Sequence, residues 1–346
     1  LIKYRNEQLT QRSTAPNRIA YVGDPPDPKQ LKTDWQTNPP QLIQRLHFSR
    51  ANKTEYELAA MRNASIVGAL GHNAAAQCFV SGGSEFEVHM AYLTASGQNE
   101  TALPYGNIVA QNEHAAFLHY QFQQRSNAND PRSLLIDAGG AFRGYASDIT
   151  RTHLKTGSTA SNITDSVFSD LLTRMQAHQD ALIEAIAPEQ NYVALQRLMH
   201  QQLAELLTDT EILRCSAAEA FDTHLTETFC PHGLGHLLGL QVHDVGGQQI
   251  NAAGDMSPPP ENYPSLRFTR SIKEEMVLTV EPGMYFIPAL LSAHQQNDQR
   301  INWRLVESLI PYGGIRIEDN VRVLDHGVEN LTRDAFSALQ PLGNER

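Results

Sequence analysis

From Lys53 onward the apolar residues fall into helical register. In KTEYELAAMRNASIVGALGHNAAAQCF, Leu58, Met61, Ile66, Val67 and Leu70 recur near a spacing of three to four, and Thr54 with Glu57 three residues later has the form of a capping box. This predicts a long amphipathic helix. A second is predicted over SEFEVHMAYLTAS, where Ser84 can cap and Glu85 and Glu87 suit the first turn. ITDSVFSDLLTRMQAHQDALIEAI and YVALQRLMHQQLAELL predict two more helices, split by the breaker APEQN. Strand-like runs stand between and after them: SLLIDAGG, YASDITRTHL, MVLTVEPGMYFI and GGIRIEDNVRVL. Helices and strands thus arrive in two similar runs, which predicts an α+β fold with pseudo-duplication, although no sequence repeat is legible. Residues 252–268, with four prolines, and LLSAHQQNDQRINW (Leu290 to Trp303) read as surface loops. Ahead of Lys53 the texture differs: the strand-like RIAYVG, the proline-rich DPPDPKQ and TNPPQLIQRLHFSR read as the tail of one unit and a connector.

Composition narrows the classes of function. A chain of 346 residues can bury a core without disulfides or structural metals. With 27 basic against 38 acidic side chains, a net charge of −11 and no basic run, nucleic acid is excluded as the expected partner. Three cysteines are too few and odd in number for a disulfide framework and suit a reducing cytosol. No apolar run approaches the roughly 18 residues of a membrane span, and the first residues, LIKYRNEQLTQRS, lack the apolar core of a signal peptide. The expectation is a cytoplasmic protein.

Residues able to do chemistry are spread over these runs. In SLLIDAGGAFRGYASDITRTHL an apolar strand ends in Asp137, a glycine-rich turn follows, and the returning strand carries Asp148, so a hairpin can bring two carboxylates together. An aspartate beside glycine is commonly a turn residue, but Asp148 sits in a β-like stretch where aspartate is depleted. Glu281 closes the apolar run of VLTVEPG, and a carboxylate buried there needs a partner. In GGIRIEDN the alternation sets Ile315 and Ile317 on one face and Arg316 and Glu318 on the other, which is either a shared cavity or a solvated charged face.

The stretch CPHGLGHLLGLQVHDVGG holds His232, His236 and His243 among five glycines. His232 and His236 stand four apart, as in a helical zinc pair, but no glutamate follows the first and glycines fill two of the three positions between. A zinc-binding helix is therefore not expected. Glycine instead lets the backbone bend close to a bound centre, with His243 on a strand-like run beyond. Asp137, Asp148, His236, Glu281 and Glu318 together carry about −4 of charge, too much for one divalent ion but balanced by two. Oxygen-rich ligation favours manganese, iron or cobalt, with zinc next. Two ions roughly 3.5 to 4 Å apart can hold a bridging water, lower its pKa and polarise a scissile carbonyl, so the chemistry read from the residues is metal-assisted hydrolysis.

In order and spacing these residues resemble the pita-bread metallopeptidases, the family of methionine aminopeptidase, aminopeptidase P and prolidase: Asp137, Asp148 eleven residues later, a histidine in HGLGH, then EPG, then GIRIEDN. The strings NEHAAFLHY, HGLGHLLGLQVHDVGG, VLTVEPGMYFI and GGIRIEDNV are most similar to the bacterial Xaa-Pro dipeptidase branch, which includes the organophosphorus acid anhydrolases. The resemblance implies a pita-bread catalytic domain over residues 51–346, preceded over residues 1–50 by a remnant of an N-terminal α/β domain and its linker. It implies that Asp137 chelates the first metal, that Asp148 and Glu318 bridge both, and that His236 and Glu281 complete the second site, with Glu281 also shuttling a proton. His119 and His243 match histidines that contact the substrate and stabilise the tetrahedral intermediate. His232, Arg267 and Arg316 match positions that bind the dipeptide's free carboxylate, Arg316 having the alternative task of orienting a ligand, and Tyr105 matches a tyrosine of the small substrate pocket.

The activity so implied is hydrolysis of Xaa-Pro dipeptides by a metal-bridging hydroxide on two divalent ions, Mn²⁺ before Co²⁺, Fe²⁺ or Zn²⁺, with weak side activity on organophosphate triesters. A homodimer acting on a small peptide is expected, the short front end leaving dimerisation open. Two other readings are an aminopeptidase P acting on longer Xaa-Pro-Xaa peptides and a non-catalytic pita-bread protein that binds a partner in its cleft.

Overall fold

The computed structural model describes residues 20–24, 35–155, 163–294 and 298–340. Two short strands, β1 (Ala20–Tyr21) and β2 (Gln36–Thr37), pair in parallel ahead of helix α1 (Pro40–Arg50). Most of TNPPQLIQRLHFSR, expected as part of a connector, is helical. Pro39 takes the extended N-cap conformation and Pro40 the first helical position, where its missing N–H is no loss and its fixed φ starts the helix. Beyond Asp24, DPPDPKQ lies outside the described residues.

Helices α2 (Glu55–Val80) and α3 (Glu85–Ser96) both open with complete capping boxes, Thr54 with Glu57 and Ser84 with Glu87. They pack closely because α2 turns small residues inward: a Cβ added to Gly71 would lie 2.5 Å from the Tyr92 ring of α3. Strands β3 (Ile108–Gln111) and β4 (Ser133–Asp137) follow. After the small hairpin β5 (Ala141–Phe142) and β6 (Tyr145–Ala146) comes β7 (Thr150–Leu154), giving an antiparallel sheet in the order β3-β4-β7. Asp148 therefore lies in the link between β6 and β7, not inside a strand.

The second half repeats the plan. Helices α4 (Ile163–Glu184), α5 (Tyr192–Asp209) and α6 (Ala217–Asp222) precede β8 (Val277–Val280) and β9 (Gly283–Tyr285). Short helices α7 (Pro288–Ser292) and α8 (Trp303–Leu309) lead to β10 (Gly314–Arg316), β11 (Asp319–Val323), β12 (Val328–Asn330) and α9 (Leu331–Ala338). Here β11 pairs antiparallel with both β8 and β12, and β9 with β10. A bridge between Thr150 and Glu318 joins the two halves.

The α+β expectation holds, with a large core between α4, α5 and the second sheet (Phe168, Met175, Tyr192, Leu203, Leu278, Ile315) and a smaller one between α2, α3 and the first (Phe79, Val88, Tyr92, Ile136). Two loop expectations need adjustment. Residues 252–268 are irregular as expected, but Tyr263, Leu266 and Phe268 are buried. The stretch from Leu290 to Trp303 takes in the end of α7 and the start of α8, with 295–297 outside the described residues. No strand forms over LQVHDVG. Its backbone bonds close locally instead, Gly239 N to Gln241 O at 3.0 Å and Asp244 N to Leu237 O at 2.8 Å.

Candidate metal centre

Each carboxylate sits at a strand end or just past one, next to the ladder that fixes its backbone. Asp137 is the last residue of β4, Glu281 follows β8, Glu318 lies between β10 and β11, and Asp148 between β6 and β7. Side chains behind them hold these ends. Gln179 of α4 donates through Nε2 to Val280 O at 2.9 Å and Ile317 O at 3.2 Å, the carbonyls just before Glu281 and Glu318. Asn320 brackets Asp148, accepting from its N–H at 2.9 Å and donating to its carbonyl at 2.5 Å.

His236 is fixed by reciprocal bonds with Thr279: its N–H donates to Thr279 Oγ1, and Thr279 N–H to His236 O, both at 3.0 Å. His236 Nδ1 donates to Leu237 O at 3.0 Å, which leaves Nε2 as the acceptor that can ligate. The glycine before it is there for close approach, not for an unusual backbone angle. A Cβ on Gly235 would lie 2.1 Å from Thr279 O and 2.5 Å from Tyr192 Oη.

The five side chains singled out in the sequence converge. Asp148, His236 and Glu318 offer ligand atoms within 4.8 Å of one another. His236 Nε2 is 3.4 Å from Asp148 Oδ2 and 3.8 Å from Glu281 Oε1. The Tyr105 hydroxyl lies 2.7 Å from Asp137 Oδ1 and 2.5 Å from Asp148 Oδ1, tying the fourth carboxylate to the group.

Burial pushes Glu318 well above the ordinary carboxylate range and raises Glu281 to about 7, with Asp148 adding to both shifts. Asp137 is also raised by burial, against the pull of Arg316. At Asp148 burial is outweighed by the hydrogen bond and charge of a protonated His236, which leaves it low; a cation on Nε2 would take the place of that proton. Three buried carboxylates and the half-buried Glu281, facing one guanidinium and one imidazole, form a site short of positive charge. Oxygen donors with a single nitrogen fit hard or borderline divalent cations.

The substrate-side residues are placed less uniformly. His119, His243 and Arg267 are exposed on a cavity of about 230 Å³ shared with the acidic cluster, and His119, His243 and Tyr105 also line an adjoining one of about 640 Å³. The His243 ring meets His236 edge-on at 4.4 Å, and desolvation of the ring face turned to the cluster, with His236 and Arg267, lowers it to about 4. Arg316 is buried and already engaged, donating to Asp137 Oδ2 at 2.7 Å, Tyr285 Oη at 2.9 Å and Thr150 Oγ1 at 3.2 Å. His232 Nε2 meets the same Tyr285 hydroxyl at 2.8 Å. Tyr285, Thr150 and Gln179 were not foreseen. Buried hydroxyls and an amide inside apolar runs were the one available signal.

A model of metallopeptidase family M24 matches residues 59–325, which contain all of these side chains. The chain belongs to this family. Among its M24 relatives, it is 44% identical over 317 residues to a Xaa-Pro dipeptidase of Shewanella loihica, covering 91% of this chain and 70% of that one. It is 46% identical over 321 residues to a Xaa-Pro dipeptidase of Aeromonas hydrophila, covering 91% and 71%. The fold matches Escherichia coli aminopeptidase P with the inhibitor Pro-Leu at a TM-score of 0.68 and 25% identity, over 87% of this chain and 60% of that one. Proline aminopeptidase P II from Yersinia pestis matches at 0.64 and 26%, over 88% and 64%. The M24 chain described here thus spans less than two thirds of those solved chains and somewhat more of the dipeptidases, and the pita-bread expectation is met.

Proposed function

We propose that the chain is a dinuclear-metal dipeptidase that hydrolyses Xaa-Pro dipeptides. The supporting observation is the convergence of Asp137, Asp148, His236, Glu281 and Glu318 on one cavity that also holds two exposed histidines and an arginine. These five would hold two divalent ions, manganese first on donor type, with cobalt, iron or zinc as alternatives. When bound, the ions supply Lewis-acid activation of the scissile carbonyl and of the attacking water.

The chain's own residues divide the remaining tasks. Glu281, at the edge of the cluster 3.8 Å from His236, accepts the proton of the attacking water and delivers it to the departing proline nitrogen. His243, neutral at physiological pH, and His119 donate to the oxygen on which negative charge develops. Arg267 at the rim receives the free carboxylate of the dipeptide, a task for which Arg316, engaged with Asp137, is not free. His232, paired with Tyr285, closes that side of the cavity.

The greater identity to Xaa-Pro dipeptidases than to aminopeptidase P favours the dipeptide over longer peptides. Three free cysteines suit a reducing cytoplasm, and the family resemblance carries with it a homodimer. A site that polarises a carbonyl also polarises a phosphoryl oxygen, so slow hydrolysis of organophosphate triesters is expected.

The deciding experiment compares a Xaa-Pro dipeptide with the matching Xaa-Pro-Xaa tripeptide, using metal-stripped protein before and after addition of Mn²⁺. Cleavage of the dipeptide alone, restored by metal, supports the reading. Preference for the tripeptide would make the chain an aminopeptidase P. Cleavage of neither, with metal bound, would move it to the binding-protein reading.

A further inference from the structure

We propose that Glu85 is a positioning residue for His119. The proposal rests on the reading of His119 as a group that contacts the substrate.

Between the end of β3 at Gln111 and the start of β4 at Ser133 the chain forms one 3-10 turn, Asn112–Ala116, and no strand. His119 lies in the irregular part, exposed, on both cavities. No ladder or helix holds it there.

The segment is tied to α3 through one buried carboxylate, beside the bond from Gln121 Nε2 to Gly106 O at 2.9 Å. Glu85, 2% exposed at the first position of α3, accepts four hydrogen bonds. Its Oε1 receives Gln111 N at 2.9 Å and His114 Nδ1 at 2.6 Å. Its Oε2 receives the Tyr120 hydroxyl and Gln124 N, both at 2.8 Å. The donors bracket His119: two precede it, one is the next residue, and one lies five residues beyond. Tyr120 is itself buried and stacks on His114 with ring centroids 4.6 Å apart, so the residue after His119 is clamped from two sides. Phe86 N–H closes the frame on Gln124 O at 3.1 Å.

Glu85 has no other evident task. The capping box of α3 is made by Ser84 and Glu87. Only a carboxylate can serve four donors, because it is acceptor-only on both oxygens. Glutamine has nearly the same shape, but its NH₂ would face either Gln111 N or Gln124 N, and neither backbone donor can turn into an acceptor.

The test uses Glu85→Gln in the full chain loaded with Mn²⁺. For a Xaa-Pro dipeptide, kcat is expected to fall about 10- to 100-fold with KM within about threefold and metal content unchanged. In a His119→Ala background the same change should cost less than about threefold more, because the group it positions is gone. Losses that multiply would overturn the proposal, as would an unchanged kcat. Hydrogen exchange reads the same idea without catalysis. Amides from 111 to 124 should exchange faster in Glu85→Gln while those of 133–137 and 277–280 keep their wild-type rates, and unchanged exchange in 111–124 would overturn it. If Glu85→Gln does not fold, Tyr120→Phe removes a single donor and should give a smaller loss of the same kind, no loss counting against the proposal. A wild-type chain that cuts no Xaa-Pro peptide would remove the catalytic reading alone, and the exchange comparison would then decide the positioning role.

Discussion

Arg316 Nη2 donates to Asp137 Oδ2 at 2.7 Å, and both groups are buried. The guanidinium also reaches Tyr285 and Thr150, and Thr150 in turn donates to Glu318 at 2.8 Å, so one arginine orients two candidate ligands. Lysine keeps the charge but cannot hold three partners in a plane. Arg316→Lys should lower Mn²⁺ affinity about 10- to 100-fold in calorimetric titrations of metal-stripped protein. Unchanged metal affinity with a raised KM for the dipeptide would instead return Arg316 to the substrate carboxylate.

Gln179 ties together the backbones that carry Glu281 and Glu318. Gln179→Leu fills similar space but removes the shared donor to the Val280 and Ile317 carbonyls and the acceptor of Arg333 Nη2, a loss of about 1 to 3 kcal/mol. Denaturant titration should show that loss. Addition of Mn²⁺ should recover less stability than in the wild type, because the two ligands no longer share a brace.

Gly235→Ala should be far more damaging than its single methyl suggests, since the new Cβ meets backbone at Thr279 and the Tyr192 hydroxyl. Overpacking of this kind costs about 1 to 3 kcal/mol, and the displaced chain is the one that presents His236. The expected result is a lowered Tm together with lost Mn²⁺ binding. A variant that binds metal normally would show that the backbone here can yield.

Away from the centre, His178 is buried in α4, and burial, with His200 nearby, pushes its ring down to about 3. The unfolded chain takes up this proton near the ordinary imidazole value of 6.5, and the folded chain does not until far lower pH. The contribution to stability is therefore complete above 6.5 and is lost as pH falls from there toward 3. Replacing His178 by Leu should flatten the fall in unfolding free energy between about pH 6 and about pH 4 by roughly 1.4 kcal/mol per pH unit. An unchanged slope would mean that the ring is protonated in the fold.

The sequence was most legible where the signal was local or the chemistry costly. Both capping boxes were visible as Thr54 with Glu57 and Ser84 with Glu87, because the partners lie three residues apart. The acidic residues stood out as a set: Asp137 or Glu318 alone has a bland reading as a turn or solvated residue, but together with His236 they match one ligand order, and they do converge. The reading failed where the deciding partner is distant or absent. LQVHDVG alternates like a strand, but no neighbouring strand pairs with it. Pro39 and Pro40 looked like linker residues, although proline at a first helical position begins a helix. Glu85 reads in sequence as an ordinary first-turn acid, since its four donors lie 26 to 39 residues away. Arg316 was placed in the cavity, but the alternation could not say that Asp137 would engage it.

Helix α1 ends against the loop next to His243. Arg50 donates to Asp244 at 2.5 Å, beside the buried Lys53, which reaches the same carboxylate at 3.1 Å. The Phe48 ring lies 3.9 Å beneath the Arg270 guanidinium, and the His47 carbonyl packs where Gly246, at φ +86, leaves room for it. A chimera joined at residue 51 would transplant every candidate ligand and still sever this grip. Anyone recombining front ends among relatives should therefore place the seam ahead of Pro40, because α1 travels with the catalytic machinery as a working part and not as a tether.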